Sequence, residues 1–134
     1  MDDSITAAGD SITVAGFGFR RGALLVSLDE ALDRLHEHYG AVDRLAATQT
    51  MWPLVQELGQ ARGLTVIPVA DAALPTATTI TRSRHSLRAR GTGSVAEAVA
   101  LLAAGPGAEL LGPRLISMDR LATVAAARAP LGGD

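Results

Sequence analysis

The sequence predicts an α/β fold: one compact domain with a mixed or mostly parallel sheet and helices on both of its faces. Three observations carry the prediction. Short apolar or β-branched runs, "SITVAGFGF" (11–19), "RLAAT" (44–48) and "LTVIPV" (64–69), alternate with segments of helical period. Such runs fit strands covered on both sides, as a sheet between helix layers requires. The 134 residues, 48% hydrophobic and 19% charged, suffice for a single core that buries roughly two thirds of the surface of the unfolded chain. No repeat or interdomain linker interrupts them. Residues 1–11 are expected to form a flexible N-terminus, 12–128 the domain and 129–134 a C-terminal tail.

Each element has its own signal. After the strand at 11–19 and a loop, Ser27 and Glu30 form an S-x-x-E capping box, and Leu28, Ala31, Leu32, Leu35 and Tyr39 follow at helical spacing. This predicts a helix from Ser27 to about Gly40. The strand 44–48 leads into a helix near 52–62, with Pro53 in its first turn, Leu54, Val55 and Leu58 inward, and Gly63 as its stop. After the strand 64–69, Asp71 is expected to cap a single turn. The threonine- and arginine-rich stretch 76–93 lacks a helical period and is expected to be strand plus mobile loop. Ser94 and Glu97 make a second capping box, Val95, Ala98, Val99 and Leu102 form the inward stripe, and Gly105-Pro106 closes that helix. "AELLGPRLIS" and "RLATVAAAR" then fit short apolar strands.

Composition excludes several chemistries. The absence of cysteine removes disulfides, thiolate nucleophiles and sulfur-ligated metals. All 12 Lys+Arg residues are arginine, so neither Schiff-base catalysis nor a lysine-bearing phosphate loop is possible. Lysine and asparagine are both missing beside abundant alanine, glycine and arginine, a bias that fits a GC-rich bacterial genome. The acidic, polar start "MDDSITAAGD" is unlike a signal peptide, and no apolar run reaches the ~18 residues of a membrane span, so a cytoplasmic protein without membrane contact is expected. His36 and His38 stand two apart on a helix and face different ways, while His85 lies among arginines that repel a cation; no metal is expected, and no cofactor. Aromatic content of 3% leaves little for stacking bases, so nucleic acid is not an expected partner, and Trp52 reads as a core or rim residue.

The motif "GFGFRRG" (16–22) raises the functional question. Counted from Gly16, the sixth position is Arg21, so the glycine spacing of a dinucleotide fingerprint fails. Arginine offers planar, bidentate recognition of carboxylate or phosphate, and α/β sheets bind ligands at the carboxyl ends of their strands. Arg20 and Arg21 are therefore candidate anion contacts, with Gly16, Gly18 and Gly22 allowing close approach; the plain alternative is a tight turn with two solvated arginines. A second cationic group is Arg82, Arg84, Arg88 and Arg90 with His85, in an interval without any acid between Asp71 and Glu97. No G-x-S-x-G elbow exists, and helix capping is a sufficient account of Ser94 and Glu97.

Read in order, "VAGFGFRRGA", "SLDEAL", "LAAT", "ARGLTVIPV", "GTGSVAEAVALLAAGPGAELLGPR" and "ATVAAA" resemble the CobE and CbiG C-terminal domain family of cobalamin biosynthesis, over about residues 12–128. The match is to the free-standing CobE type, with no room for the N-terminal domains of CbiG proteins, which are linked to opening a lactone on a cobalt-containing precorrin. CbiG-like domains tend to carry lysine after the "LAAT"-like strand, where this chain reads "QTMWP", and after the late strand, where it has Arg114. The resemblance implies an α/β fold and a carboxylate-rich corrinoid or precorrin ligand. With that ligand, the candidate contacts are Gly16, Gly18, Arg20, Arg21, Gly22, Thr48, Arg82, Arg84, Arg88, Arg90, Ser94 and Glu97. The rival expectations are a hydrolase acting on a precorrin lactone or side chain, with Glu97 or His85 as its acid–base group, and an interaction subunit binding another enzyme of the pathway.

Overall fold

The computed structural model describes residues 11–77, 79 and 94–130. In chain order these form β1 (Ser11–Phe19), α1 (Leu25–Tyr39), β2 (Arg44–Thr48), α2 (Trp52–Arg62), β3 (Val66–Val69), a 3₁₀ helix (Asp71–Thr76), α3 (Val95–Ala104), β4 (Glu109–Leu110), β5 (Leu115–Ile116) and β6 (Ala122–Pro130). The expected arginine stretch 80–93 lies outside the described residues.

The strands make one six-stranded mixed sheet in the order β3-β2-β1-β6-β4, with β5 also pairing β6. β1, β2 and β3 are mutually parallel, joined by helical crossovers, whereas β6 runs antiparallel to β1 along its whole length, from Ser11 opposite Pro130 to Phe19 opposite Ala122. The first and last described strands are thus neighbours at the sheet centre.

Strand alternation assigns the two faces. Ala15 and Phe17 of β1, Leu45 and Ala47 of β2, and Val124 and Ala126 of β6 pack under α1 and α2, meeting Leu28, Leu32, Leu35, Val55 and Leu58. The opposite face holds Ile12, Val14, Ala46 and Val69 against Ala98 and Val99 of α3 and Leu74 of the 3₁₀ helix. Ala125 and Ala127 of β6 meet Ala96 and Ala100 of α3 on that side. Both faces are covered, which is why β1 is buried from Ile12 to Gly18.

Gly16 and Gly18 lie inside β1, on its α3 face, and not in the turn that follows. A Cβ at Gly16 would stand 2.4 Å from the Ala100 nitrogen and 2.5 Å from the Ala96 carbonyl oxygen; one at Gly18 would be 3.1 to 3.3 Å from Thr123, Val95 and Ala96. The backbone these glycines admit is therefore that of α3. Gly59 does similar work on the other face, where a Cβ would meet Val66 and the Leu64 carbonyl oxygen at 2.6 and 2.7 Å.

Three local expectations change. Helix α1 begins at Leu25, two residues before Ser27, which occupies the third helical position and accepts the Leu24 N–H at 3.2 Å. Its hydroxyl is drawn away from N-capping because it donates to the Asp119 carboxylate at 2.6 Å, a charge-assisted bond stronger than a neutral cap. Asp71 is the first residue of its 3₁₀ helix, and Ala70 takes the N-cap position. β3 begins at Val66, because the Leu64 N–H is used at the end of α2, where it donates to the Gly59 carbonyl at 2.9 Å beside the left-handed Gly63 (φ 69°).

Gly16→Ala is expected to destabilise the protein by ~1–3 kcal/mol or more, since the clash is with helix backbone and no side-chain rotation relieves it. Urea unfolding measures this; a loss below ~0.5 kcal/mol would mean that α3 can move off β1 at little cost.

Candidate functional site

The carboxyl end of β1 meets three other segments. The Arg20 N–H donates to the Leu121 carbonyl at 2.8 Å, extending the β1–β6 ladder by one bond, and the Ala23 N–H closes a turn onto the Arg20 carbonyl at 3.0 Å. Gly22 makes that turn at φ 95°, a conformation that favours glycine. Arg20 and Arg21 are both exposed, and neither has an ion-pair partner among the described residues.

The N-terminus of α3 lies over the end of β1, at Gly18. Ser94 is buried and caps α3, accepting the Glu97 N–H at 3.3 Å, which is the Ser94 half of the expected capping box. Glu97 is fully buried, and its carboxylate also accepts the Arg114 backbone N–H at 2.8 Å. That bond holds the "GPR" segment between β4 and β5 against the helix. Gly18, Ser94, Glu97 and Arg114 are thereby gathered in one place; Thr48, buried at the end of the adjacent strand β2 and level with Gly18 in the parallel register, has its hydroxyl accepting the Met51 N–H at 3.3 Å before α2. Arg82, Arg84, Arg88, Arg90 and His85 lie outside the described residues.

One cluster escapes a reading of the sequence. Asp119, in the turn between β5 and β6, accepts the Ser27 hydroxyl at 2.6 Å, the Ser117 hydroxyl at 2.5 Å and the Leu121 N–H at 3.0 Å. The two hydroxyls and then the backbone N–H hold its carboxyl below the usual carboxylate range. Glu30 adds a second clip, accepting the Met118 N–H at 2.8 Å while pairing with Arg34. Together they fasten the 117–121 turn to the start of α1. The signal in the sequence is faint, a Ser-x-Asp spacing at 117–119 whose partner lies far upstream.

Among the described residues, no group of three or more His, Asp or Glu side chains could hold a metal ion, and no helix is long and apolar enough to cross a membrane.

Comparison with known proteins defines the class. The family model described as "Cobalamin synthesis G C-terminus" matches residues 13–127. The chain belongs to this family, and so to the proteins of cobalamin biosynthesis. Among solved structures it is similar to CobE, a protein from the cobalamin (vitamin B12) biosynthetic pathway, with a TM-score of 0.77 and 32% identity over 88% of this chain and 90% of that one. It is also similar to the cobalamin biosynthesis protein chiG from Agrobacterium tumefaciens, with a TM-score of 0.68 and 33% identity over 92% of this chain and 100% of that one. Comparison with the curated proteins finds no match.

Two predictions follow from the geometry. Glu97→Ala leaves the partly buried Arg114 N–H without its acceptor and is expected to cost ~1–2 kcal/mol, whereas Glu97→Gln keeps an acceptor and costs less; paired thermal melts check the order. Asp119 has a lowered folded pKa, so its contribution is present above the unfolded carboxylate value and is lost as pH falls through the folded one. In acid-unfolding titrations, Asp119→Asn is expected to show a shallower loss of stability at the acidic end than the unaltered protein.

Proposed function

We propose that this protein binds a carboxylate-rich corrinoid, an intermediate or product of cobalamin biosynthesis, and holds or delivers it between enzymes. The observation that carries the reading is the pair Arg20 and Arg21: two exposed guanidiniums without ion-pair partners among the described residues, at the carboxyl end of the central strand. Family membership supports the class of ligand, since corrin-pathway intermediates are flat macrocycles bearing acetate and propionate carboxylates. Fixed arginines beside apolar surface suit such a molecule, each charge-assisted bond contributing ~1.5–3 kcal/mol.

Glu97 is best read as structural, because its carboxylate accepts the Arg114 backbone N–H and holds the segment before β5 against α3. This favours a binding protein over the rival hydrolase. Mixing the purified protein with a panel of corrin intermediates, then recording visible spectra and ligand mass, separates the two. A spectral shift with unchanged mass is expected; a changed mass would select the hydrolase, and no shift with any corrin would remove the binding reading.

Alanine at both Arg20 and Arg21 is expected to weaken corrinoid binding at least tenfold, roughly 1.4 kcal/mol, with little change in melting temperature. Added salt should weaken the unaltered protein more than the double variant, which lacks those charges to screen. Equal affinities at low and high salt would reduce "GFGFRRG" to a turn.

A further inference from the structure

We infer that the ligand surface extends from Arg20 and Arg21 across the 117–121 turn onto the start of α1, where Leu24, Val26 and Met118 offer an apolar platform and Arg120 a third cation. The inference rests on the proposed binding of a carboxylate-rich macrocycle and names the surface that receives it.

Three observations converge on this place. Leu24, Val26 and Met118 are the large hydrophobic residues that remain exposed among the described residues, at 61%, 64% and 73%. They are brought together by the clips described above: the Met118 N–H is bonded to Glu30, one helical turn from Val26 on the same side of α1, and the Leu24 N–H is bonded to Ser27, which holds Asp119. Isolated exposed apolar side chains need no explanation, whereas three carried by segments that hydrogen bonds fasten to one another do.

The second observation is the charge around them. The bond from the Arg20 N–H to the Leu121 carbonyl sets Arg20 beside the turn that carries Arg120. Arg20, Arg21 and Arg120 are all exposed and lack ion-pair partners among the described residues. The nearby acids form no ion pair with them: Glu30 is paired with Arg34, and the Asp119 oxygens accept from Ser27, Ser117 and Leu121, so three cations stand beside the single unpaired charge of Asp119. What remains is apolar surface rimmed by arginine, complementary to a flat apolar ring with peripheral carboxylates.

The third observation is backbone conformation. Arg120 is the one non-glycine residue with positive φ among those described, at 63°. Left-handed backbone is disfavoured for a long side chain, and here the Asp119 network holds it. A glycine would satisfy that turn without strain, so the guanidinium is the part of residue 120 that the turn does not need.

The last point supplies a clean test. Arg120→Gly keeps the turn and removes only the cation, and Met118→Glu places an anion on the platform at an exposed position; both are expected to fold, with melting temperatures at or above that of the unaltered protein or within a degree or two below it. With cobyrinic acid as the probe, Arg120→Gly is expected to weaken binding about three- to tenfold and Met118→Glu at least tenfold, and the amidated form of the same corrin should bind more weakly to the unaltered protein. Independently of any variant, adding cobyrinic acid to protein carrying ¹³C-methyl methionine should shift the exposed Met118 resonance and leave that of buried Met51 in place. If the unaltered protein binds cobyrinic acid but both variants bind it equally well and Met118 does not shift, the ligand sits elsewhere and this inference fails while the proposed function stands. If the unaltered protein binds no corrin carboxylate at all, both fail together.

Discussion

The arrangement depends on one close contact, that between the backbone of α3 and the backbone of β1 at Gly16. With a Cβ there only 2.4 Å from the Ala100 nitrogen, no other residue permits the approach. Its neighbours are chosen to match: Ala96 and Ala100 on the helix, Ala125 and Ala127 on β6. Small residues on both sides let the helix sit deep, so the α3 N-terminus reaches Gly18 and the end of β1. The buried Glu97 is then positioned to accept the Arg114 N–H and fix the segment before β5. A packing device on one face of the sheet thus determines where the strand-end residues lie.

A second constraint acts on the other side of the strand end. The 117–121 turn is held to α1 by carboxylates from both partners, Asp119 reaching Ser27 and Glu30 reaching the Met118 N–H. Two reciprocal bonds define both the position and the orientation of the turn, where one would leave a hinge. Arg20 is joined to the same unit through Leu121. The end of β1, the start of α1 and the β5–β6 turn are therefore joined by hydrogen bonds into one unit, which fixes the backbone positions from which the arginines project.

Much of the fold is legible in the sequence where its causes are local. Pro53 and Gly63 bracket α2 as read, Ser94 caps α3, and β1 and β2 have the expected bounds. Where the cause is distant, local reading fails. Ser27 has the form of an N-cap, but its hydroxyl answers to Asp119, 92 residues on, and the helix starts earlier. Gly16 and Gly18 stand beside two arginines and so resemble an anion loop, yet a helix some eighty residues downstream accounts for them. Arg20, Arg21 and Gly22 could be singled out from their place after an apolar strand, whereas Arg120 and Met118 could not, since a turn's register against a helix leaves no mark in either segment. The alanine-rich β6 is the opposite case: helix propensity argues against it, and pairing along both of its edges overrides that preference.

The place of β6 has a consequence for how the chain is made. It pairs with β1 along nine residues, from the start of one strand to the end of the other, although nearly the whole domain separates them in sequence. During synthesis β1, β2 and β3 leave the ribosome first, and β1 must wait with an open hydrogen-bonding edge until the final strand appears. Pairing at the centre of the sheet is therefore the last step to become available and the one with the largest loop to close. A chain that stops short of Ala122 lacks an interior strand, not a dispensable end, and presents on β1 an edge that another copy can occupy. The extent of this fold is set by the need to bring β6 back beside β1.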